Sequence, residues 1–213
     1  MRKQIPLSKK VTDRQYVECI TNAVIAELPE IYLNLNWEVE IFKDKSVNAF
    51  AMPGGKVGIY TGLFKTAKNQ NQLAAVIGHE IAHVTLNHSL ERANREMAKQ
   101  SGLAIGQIIG ISGDVIDAVA IGADIGLMMP YGRAQEGEAD LLGLKYMASA
   151  GFDPRAAVQL WQNMSKVGGD SPPEFLSTHP SNSKRITDLS DLMPEAIAIY
   201  DQARRSKAPN CQR

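Results

Sequence analysis

Cysteine is scarce in this sequence, and neither sign of charge predominates. The 213 residues include two cysteines, 23 basic and 23 acidic residues, so the formal net charge is zero. A zero net charge without a basic stripe gives no indication of nucleic-acid binding. Cys19 and Cys211 form no C-x-x-C pair, which excludes a cysteine-based zinc motif. A disulfide between them stays open, but Cys211 lies in a polar tail that we expect to be frayed, which argues against the pairing.

Long hydrophobic runs are missing as well. Asp114, Asp117 and Asp124 interrupt the most apolar region, Gly102 to Met129, so no uncharged run reaches the roughly 18 residues of a membrane span. We expect no membrane-spanning helix and interpret this region as a soluble, partly flexible helical segment. The basic start, Met1 to Lys3, precedes a segment too short and polar for a signal-peptide core. A cytosolic protein and a processed mature form therefore both stay open.

The length suits one domain, residues 1–213, with flexible ends at 1–10 and 206–213. Apolar residues at helical spacing predict helices over 12–28, from 70 to the mid-90s, over 132–150, after Asp153-Pro154, from Ser181 or Asn182 to about 192, and after Pro194. Alternating or β-branched stretches predict strands at 35–42, 48–52 and 56–60. Pro53-Gly54-Gly55 supplies the turn that joins the last two into a hairpin.

One motif organises the chain: His79-Glu80-Ile81-Ala82-His83, within an apolar stretch. Residues four apart lie on nearly the same face of a helix, so His79 and His83 can bind one metal ion. Glu80 lies beside them, where it can act on a water at that ion rather than bind the ion. Two imidazole ligands with a general base are typical of zinc hydrolases. The alternative is two surface histidines and an incidental glutamate.

A catalytic zinc needs a third protein ligand. The metzincin pattern would place glycine and histidine where this chain has Leu86 and Ser89, which excludes that class. His88 follows His83 by five residues, about 140° away from the ligand face, and we interpret it as a helix-flank residue. The remaining source of a ligand is a carboxylate from another helix, as in His₂Glu sites.

The segment Glu136-Gly137-Glu138-Ala139-Asp140 offers such a carboxylate. Glu136 and Asp140 share a helix face, whereas Glu138 is rotated by about 200° and points elsewhere. If this helix packs against the histidine helix, Glu136 can be the third ligand. Asp140 can then accept a hydrogen bond from the other ring nitrogen of a ligand histidine. The alternative is a solvated acidic face.

The hairpin directly before the histidine helix suits an extended peptide, because an edge strand can hold a peptide by main-chain hydrogen bonds. The small side chains of Ala49 and Ala51 would let that peptide approach closely. A structural hairpin that only covers the helix is the alternative.

His179, which Pro180 follows, stands on a loop. It is either a surface group or a residue free to donate to an oxyanion or to occupy the open zinc position.

Five stretches together resemble one family. They are Val47-Asn48-Ala49-Phe50-Ala51-Met52-Pro53-Gly54-Gly55, the His79–His83 motif, Arg133 with Glu136-x-x-x-Asp140, Asp153-Pro154, and Ser177-Thr178-His179-Pro180 with Arg185-Ile186. In this order they resemble the gluzincin metallopeptidases related to HtpX and the CAAX prenyl protease. The likeness is greatest to the soluble periplasmic branch that includes BepA and LoiP, and it covers about residues 12 to 200.

The resemblance implies one zinc ion per chain, bound by His79, His83 and Glu136, with Glu80 as catalytic base. It also implies a supporting acid at Asp140 and, at His179, a histidine that approaches and gates the zinc. The expected fold is α+β: a mainly helical, zincin-like metallopeptidase with a small antiparallel sheet or hairpin beside the histidine helix. Gly102 to Met129 lies where relatives carry a mobile element over the site, which makes latency a reasonable hypothesis.

We therefore predict a zinc endopeptidase that cleaves polypeptides in extended conformation. The resemblance implies misfolded or unassembled envelope proteins as substrates, a periplasmic or outer-membrane-associated location, and an association with outer-membrane or assembly machinery. A chaperone-like or adaptor protein with a latent or structural zinc site is the alternative. A metal-dependent hydrolase of a non-peptide substrate is a second alternative, against which the edge strand argues.

Overall fold

The computed structural model describes residues 5–101, 130–167, 173–180 and 184–213. These residues form eight α-helices and a three-stranded sheet, which confirms the predicted α+β class. The helices are α1 (Val11–Ile25), α2 (Glu30–Leu33), α3 (Gln70–Thr85), α4 (His88–Ser101), α5 (Arg133–Ser149), α6 (Arg155–Ser165), α7 (Glu174–Thr178) and α8 (Arg185–Ala203). The predicted helical segment within 102–129 lies outside the described residues.

The sheet contains β1 (Glu38–Phe42), β2 (Ala49–Met52) and β3 (Lys56–Tyr60), in the order β1-β3-β2. β2 and β3 form the predicted antiparallel hairpin, with Ala51 opposite Val57. Its turn places Gly54 and Gly55 at φ angles of 82° and 83°, a region that glycine enters at little cost. β1 pairs with β3 in parallel, so the sheet is mixed.

One edge of the sheet is already paired. Leu7 forms an antiparallel bridge with Phe42, and the Ser8 amide donates to the Ile41 carbonyl at 2.7 Å, so the N-terminal segment covers the outer side of β1. The sequence predicts a flexible end over residues 1–10, but Leu7 and Ser8 within it are held by β1. Among the described strands this leaves β2 at the other edge, on the side of α3.

α3 is the central helix of the core. It begins as predicted, with the Asn69 side chain accepting a hydrogen bond from the Gln72 amide at 3.0 Å. From Gln72 to Val84 every residue is buried. α5 crosses α3 so closely that a Cβ on Gly78 would lie 2.7 Å from the carbonyl oxygen of Gly143. This crossing lies directly beside His79.

Two predicted helix boundaries are wrong. The helix expected from residue 70 to the mid-90s ends at Thr85, because Asn87 adopts a φ of 57°, and α4 begins at His88. Asparagine tolerates this left-handed conformation better than most residues. The break expected at Pro194 does not occur, and α8 continues through it. Leu189 and Ala196 are buried on either side of Pro194, so tertiary packing outweighs the lost backbone hydrogen bond.

The C-terminal tail is held rather than frayed. Cys19 and Cys211 form a disulfide that joins α1 to the tail across 192 residues of sequence. Arg213 donates to Asp13 at 2.8 Å, and Gln70 donates to the Pro209 carbonyl at 2.9 Å. In the loop-closure model a cross-link of this length stabilises the fold by about 5 kcal/mol.

Among the described residues, no helix combines the length and apolar character that a bilayer crossing requires.

Candidate metal centre

The two motif histidines lie on the buried face of α3, one helical turn apart. Their Nε2 atoms are 3.1 Å from each other and point into the same space between α3 and α5. The predicted juxtaposition of His79 and His83 is therefore present, and both side chains are buried.

α5 brings Glu136 to the same space. Its Oε1 lies 3.4 Å from His83 Nε2, and its Oε2 lies 3.5 Å from His79 Nε2. Glu136 is in the first turn of α5, about two turns before Gly143, so the glycine crossing sets its distance from α3.

His179, just after α7, completes the cluster. Its Nδ1 lies 3.2 Å from His79 Nε2 and 3.1 Å from Glu136 Oε1. The ring stacks on Phe175, with the two ring centroids 4.4 Å apart. The loop histidine predicted to be free to reach the cleft is thus buried within it.

The donor atoms of His79, His83, Glu136 and His179 all lie within 4.8 Å of one another. Four donors at about 2.0–2.1 Å around a tetrahedral zinc ion would lie about 3.3–3.4 Å apart. Four of the six separations among His79 Nε2, His83 Nε2, Glu136 Oε1 and His179 Nδ1 run from 3.1 to 3.4 Å. Three imidazoles and one carboxylate are also ligands that zinc accepts, so the residues present fit this metal.

Glu80 lies beside the cluster. Its Oε2 accepts a hydrogen bond from the Ala51 amide of β2 at 3.2 Å. Its Oε1 lies 3.3 Å from His179 Nε2 but accepts no hydrogen bond. Burial raises the pKa of Glu80, an effect that nearby His179 and His79 partly offset. Glu80 is therefore a buried carboxyl with one oxygen free toward the cluster.

Asp140 faces His79 from the other side. Its Oδ1 lies 3.0 Å from His79 Nδ1, the contact that the shared face of Glu136 and Asp140 predicted. Burial by itself lowers the pKa of His79, but hydrogen bonds to Asp140 and Glu136 raise it to about 9. Burial also raises the pKa of Glu136, but hydrogen bonds from His179, His79 and His83 hold it well below its usual range.

Arg185 is the first residue of α8, and the family pattern that contains it assigns it no role. It is buried, and it donates to Glu136 Oε2 at 2.8 Å and to Asp140 Oδ1 at 2.6 Å. Its guanidinium carbon lies 3.5 Å above the ring of Trp161. One cation thus joins both α5 carboxylates, which the sequence could not indicate because Arg185 lies 45 residues from Asp140.

His88 is not the flank residue that the sequence predicted. It is buried, and its Nδ1 lies 2.9 Å from His83 Nδ1. The helical spacing failed because the chain turns at Asn87, which directs His88 back toward His83. Glu138 stays out of the metal cluster, as predicted, but its Oε2 lies 3.1 Å from His88 Nε2. Burial lowers the pKa of His88.

The segment that carries His179 also covers the edge strand. The Phe175 amide donates to the Val47 carbonyl at 3.0 Å, and Asn48 donates to Glu174 at 3.0 Å. The Tyr60 amide donates to the Asn48 carbonyl, so Asn48 faces β3 with its carbonyl. Residues alternate along an antiparallel strand, so the amide and carbonyl of the next residue, Ala49, point away from β3. Its amide donates to the Asn48 side chain at 2.9 Å. Glu174 of α7 therefore holds Asn48, whose side chain occupies the outer edge of β2 at Ala49.

A family model described as Peptidase family M48 matches residues 12–193 of this chain. The chain belongs to peptidase family M48. This confirms the family that the sequence motifs resemble, and the H-E-x-x-H helix of this M48 chain is α3.

Named relatives fall into two groups. The chain is 37% identical over 175 residues to the mitochondrial metalloendopeptidase OMA1 of Arabidopsis thaliana, covering 81% of this chain and 35% of that protein. The corresponding OMA1 of Schizosaccharomyces pombe is 38% identical over 167 residues, 76% of this chain and 48% of that protein. A putative beta-barrel assembly-enhancing protease of Vibrio cholerae is 32% identical over 199 residues, 88% of this chain and 40% of that protein. The M48 chain thus spans half or less of each of these relatives.

Proposed function

We propose that this M48 chain is a zinc-dependent endopeptidase domain. The observation that carries the proposal is the convergence of His79 Nε2, His83 Nε2 and Glu136 Oε1 beside the unbonded Oε1 of Glu80. His79, His83 and Glu136 would hold one zinc ion. When bound, the metal would activate water and polarise the scissile carbonyl.

The chain's own residues account for the proton transfers. Glu80 Oε1 accepts no hydrogen bond, so it is available to take a proton from water. Its raised pKa brings it closer to neutral pH, where a carboxyl group can both accept that proton and pass it to the leaving amine. Asp140 would hold His79 in the tautomer that presents Nε2 to the metal, because its Oδ1 faces Nδ1.

Substrate would add to β2 as an extended strand. No described strand pairs with the outer edge of β2, and the Glu80 side chain accepts from the outward-facing amide of Ala51. A peptide paired with this edge would therefore lie next to the general base. Ala49 and Ala51 are buried here, so pairing requires that α7 move away from the edge.

The described conformation suits a latent enzyme. His179 Nδ1 occupies the fourth corner of the cluster, where an open catalytic site would keep a position for water. The same geometry also favours the second candidate, an adaptor with a structural zinc site, because structural sites are closed by four protein ligands. Replacement of His179 by Ala separates the two: a latent protease gains activity, and an adaptor gains none.

We further propose substrates among misfolded or unassembled envelope proteins, and a periplasmic or outer-membrane-associated location in contact with assembly machinery. Two relatives, of Vibrio cholerae and Yersinia pestis, are named beta-barrel assembly-enhancing proteases, whereas the OMA1 relatives are named mitochondrial. The Cys19–Cys211 disulfide supports an oxidising compartment. Thiol alkylation of the protein in intact cells tests this, because a cytosolic protein would label at both cysteines.

The central test combines metal analysis with digestion of an unfolded protein such as casein. We expect about one zinc ion per chain by elemental analysis and casein cleavage that a chelator abolishes and added zinc restores. His179→Ala should be assayed in parallel, because the wild type is expected to be partly closed. A purified protein that binds no zinc, or a zinc-loaded His179→Ala variant that cleaves no peptide bond, would refute the endopeptidase proposal.

A further inference from the structure

His83 has ring nitrogens that face two different partners. Its Nε2 points into the metal cluster, 3.1 Å from His79 Nε2. Its Nδ1 points away, 2.9 Å from Nδ1 of His88, whose own Nε2 lies 3.1 Å from Glu138 Oε2. Three side chains thus form a line from the cluster to the surface, ending at a carboxylate that is 61% exposed.

When Glu138 is ionised and both imidazoles are neutral, the three side chains can share their protons in only one arrangement. A carboxylate only accepts hydrogen bonds, so the nitrogen that faces it must carry the proton. That nitrogen is Nε2 of His88, and a neutral imidazole then has its lone pair on Nδ1. His88 Nδ1 must therefore accept, and His83 Nδ1 must donate. Neutral His83 is left with its lone pair on Nε2, the atom that faces the cluster.

We propose that His88 and Glu138 are positioning residues that hold His83 in its metal-binding tautomer. The inference rests on the proposed zinc site, and it assigns a function to two residues outside that site. Reversed polarity would put a proton on His83 Nε2 and prevent that atom from binding a metal ion. Asp140 does the same for His79 through one direct contact, whereas His83 is reached through an intervening imidazole.

The surrounding packing keeps the two imidazoles in register. The Tyr131 ring stacks on His83, with centroids 3.8 Å apart and planes at 21°, and its hydroxyl pairs with Ser89 Oγ at 2.9 Å. Ser89 directly follows His88, so the start of α4 is tied both to His83 and to the residue that stacks on it. The line therefore depends on the turn at Asn87, which separates α4 from α3.

Substitutions of Glu138 give the cleanest test, because its side chain is exposed and its loss should leave the fold intact. We expect Glu138→Ala to lower zinc affinity about 10-fold, measured by competition with a chromophoric chelator, since partners of ligand histidines are typically worth about 10- to 100-fold. Glu138→Lys should lower it further, because an ammonium group only donates and favours the opposite tautomer. Glu195→Ala is the matched control, as Glu195 is 58% exposed and pairs with Lys145.

Substitutions of His88 test the intermediate position. His88→Leu should lower zinc affinity about 10- to 100-fold. His88→Asn should restore most of the loss, because its amide oxygen can accept from His83 Nδ1. If both variants unfold, ¹⁵N NMR of the imidazoles in the zinc-loaded wild type decides the matter: we expect a proton on Nδ1 of His83 and on Nε2 of His88.

Two failures are distinguishable. If the wild type binds no zinc, the proposed metal centre itself is wrong. If the wild type binds zinc but the Glu138 variants match Glu195→Ala, or NMR finds the proton of His88 on Nδ1, only the positioning role is refuted.

Discussion

Gly78 and Gly143 bring α3 and α5 into backbone contact beside the metal cluster. A Cβ on Gly78 would lie 2.7 Å from the Gly143 carbonyl oxygen, and a Cβ on Gly143 would lie 2.7 Å from the His79 amide nitrogen. Both partners are backbone atoms, which cannot rotate away. The distance from Glu136 to the histidines thus depends on two residues that have no functional group.

Gly143→Ala should therefore damage both fold and site. We expect a loss of about 1–3 kcal/mol in the free energy of unfolding, as for other overpacked cores, together with weaker zinc binding because α5 is pushed away from His79. Gly137→Ala is the matched control on the same helix, since a Cβ there has nothing within 4 Å. It should be neutral or stabilising by up to about 1 kcal/mol. Equal behaviour of the two variants in denaturant titrations would contradict the close-packing explanation.

Arg185→Met should destabilise the zinc-free protein more than the zinc-loaded one. Arg185 is the cation that joins Glu136 and Asp140, and breaking a buried pair of this kind costs about 3–5 kcal/mol. A bound zinc ion would compensate part of the charge on Glu136. Unfolding with and without zinc measures the difference. Arg155→Met, at an exposed pair with Asp153, should resemble the wild type; a loss that zinc does not reduce would mean that Arg185 acts through packing on Trp161 alone.

Glu80→Gln should keep the metal and lose the activity. Glu80 is not one of the four residues that form the cluster, so zinc content should stay at the wild-type value. Peptide cleavage should fall by about 10²- to 10⁴-fold, because glutamine cannot take up a proton. Elemental analysis and a quenched-fluorescent peptide assay of the same preparation check both points. Cleavage at the wild-type rate would remove Glu80 from the role of base.

Glu174→Ala should open the edge strand. The Glu174 carboxylate accepts a hydrogen bond from the Asn48 side chain, which in turn accepts one from the Ala49 amide. Removal of the Glu174 carboxylate therefore weakens the attachment of α7 to β2. A single hydrogen bond of this kind is worth about 1 kcal/mol, which predicts an increase in casein cleavage of about 2- to 10-fold. Glu195→Ala again serves as an exposed control. An unchanged rate would show that α7 stays in place without Glu174.

Asp13→Asn should destabilise the protein only above acidic pH. Burial raises the pKa of Asp13, but hydrogen bonds from Arg213 and Lys10 outweigh this and lower it. A carboxyl with a lowered folded-state pKa stabilises the fold above its unfolded pKa of about 3.9, and this contribution disappears as pH falls through the folded value. The variant should lose about 1 kcal/mol at pH 7 and approach the wild type below about pH 4. Asp188→Asn, at an exposed aspartate, is the matched control.

The sequence predicted most of the helices, the hairpin and the residues of the cluster. Spacing alone put His79 and His83 on one face, because four residues make about one helical turn. The same periodicity separated Glu136 and Asp140 from Glu138. These inferences concern residues within one regular element, where local geometry determines direction.

The failures share a different cause. The helix-flank prediction for His88 is wrong because Asn87 leaves the helical region, so a count of 100° per residue does not apply beyond it. The polar composition of the tail predicts fraying, because it does not show that Cys19 lies next to Cys211 and Asp13 next to Arg213. Arg185 carried no signal of its own, because a lone arginine at a helix start is ordinary until two carboxylates face it.

The sequence by itself determined which side chains carry groups of the kind that bind metals and which of them share a helix face, since both follow from chemistry and helical periodicity. Only the tertiary structure decided that α3 and α5 meet at Gly78 and Gly143, that His179 closes the cluster, and that His88 and Glu138 extend it to the surface. These contacts join residues that are distant in the chain or lie beyond a helix break. They depend on how whole elements pack, which no local pattern encodes.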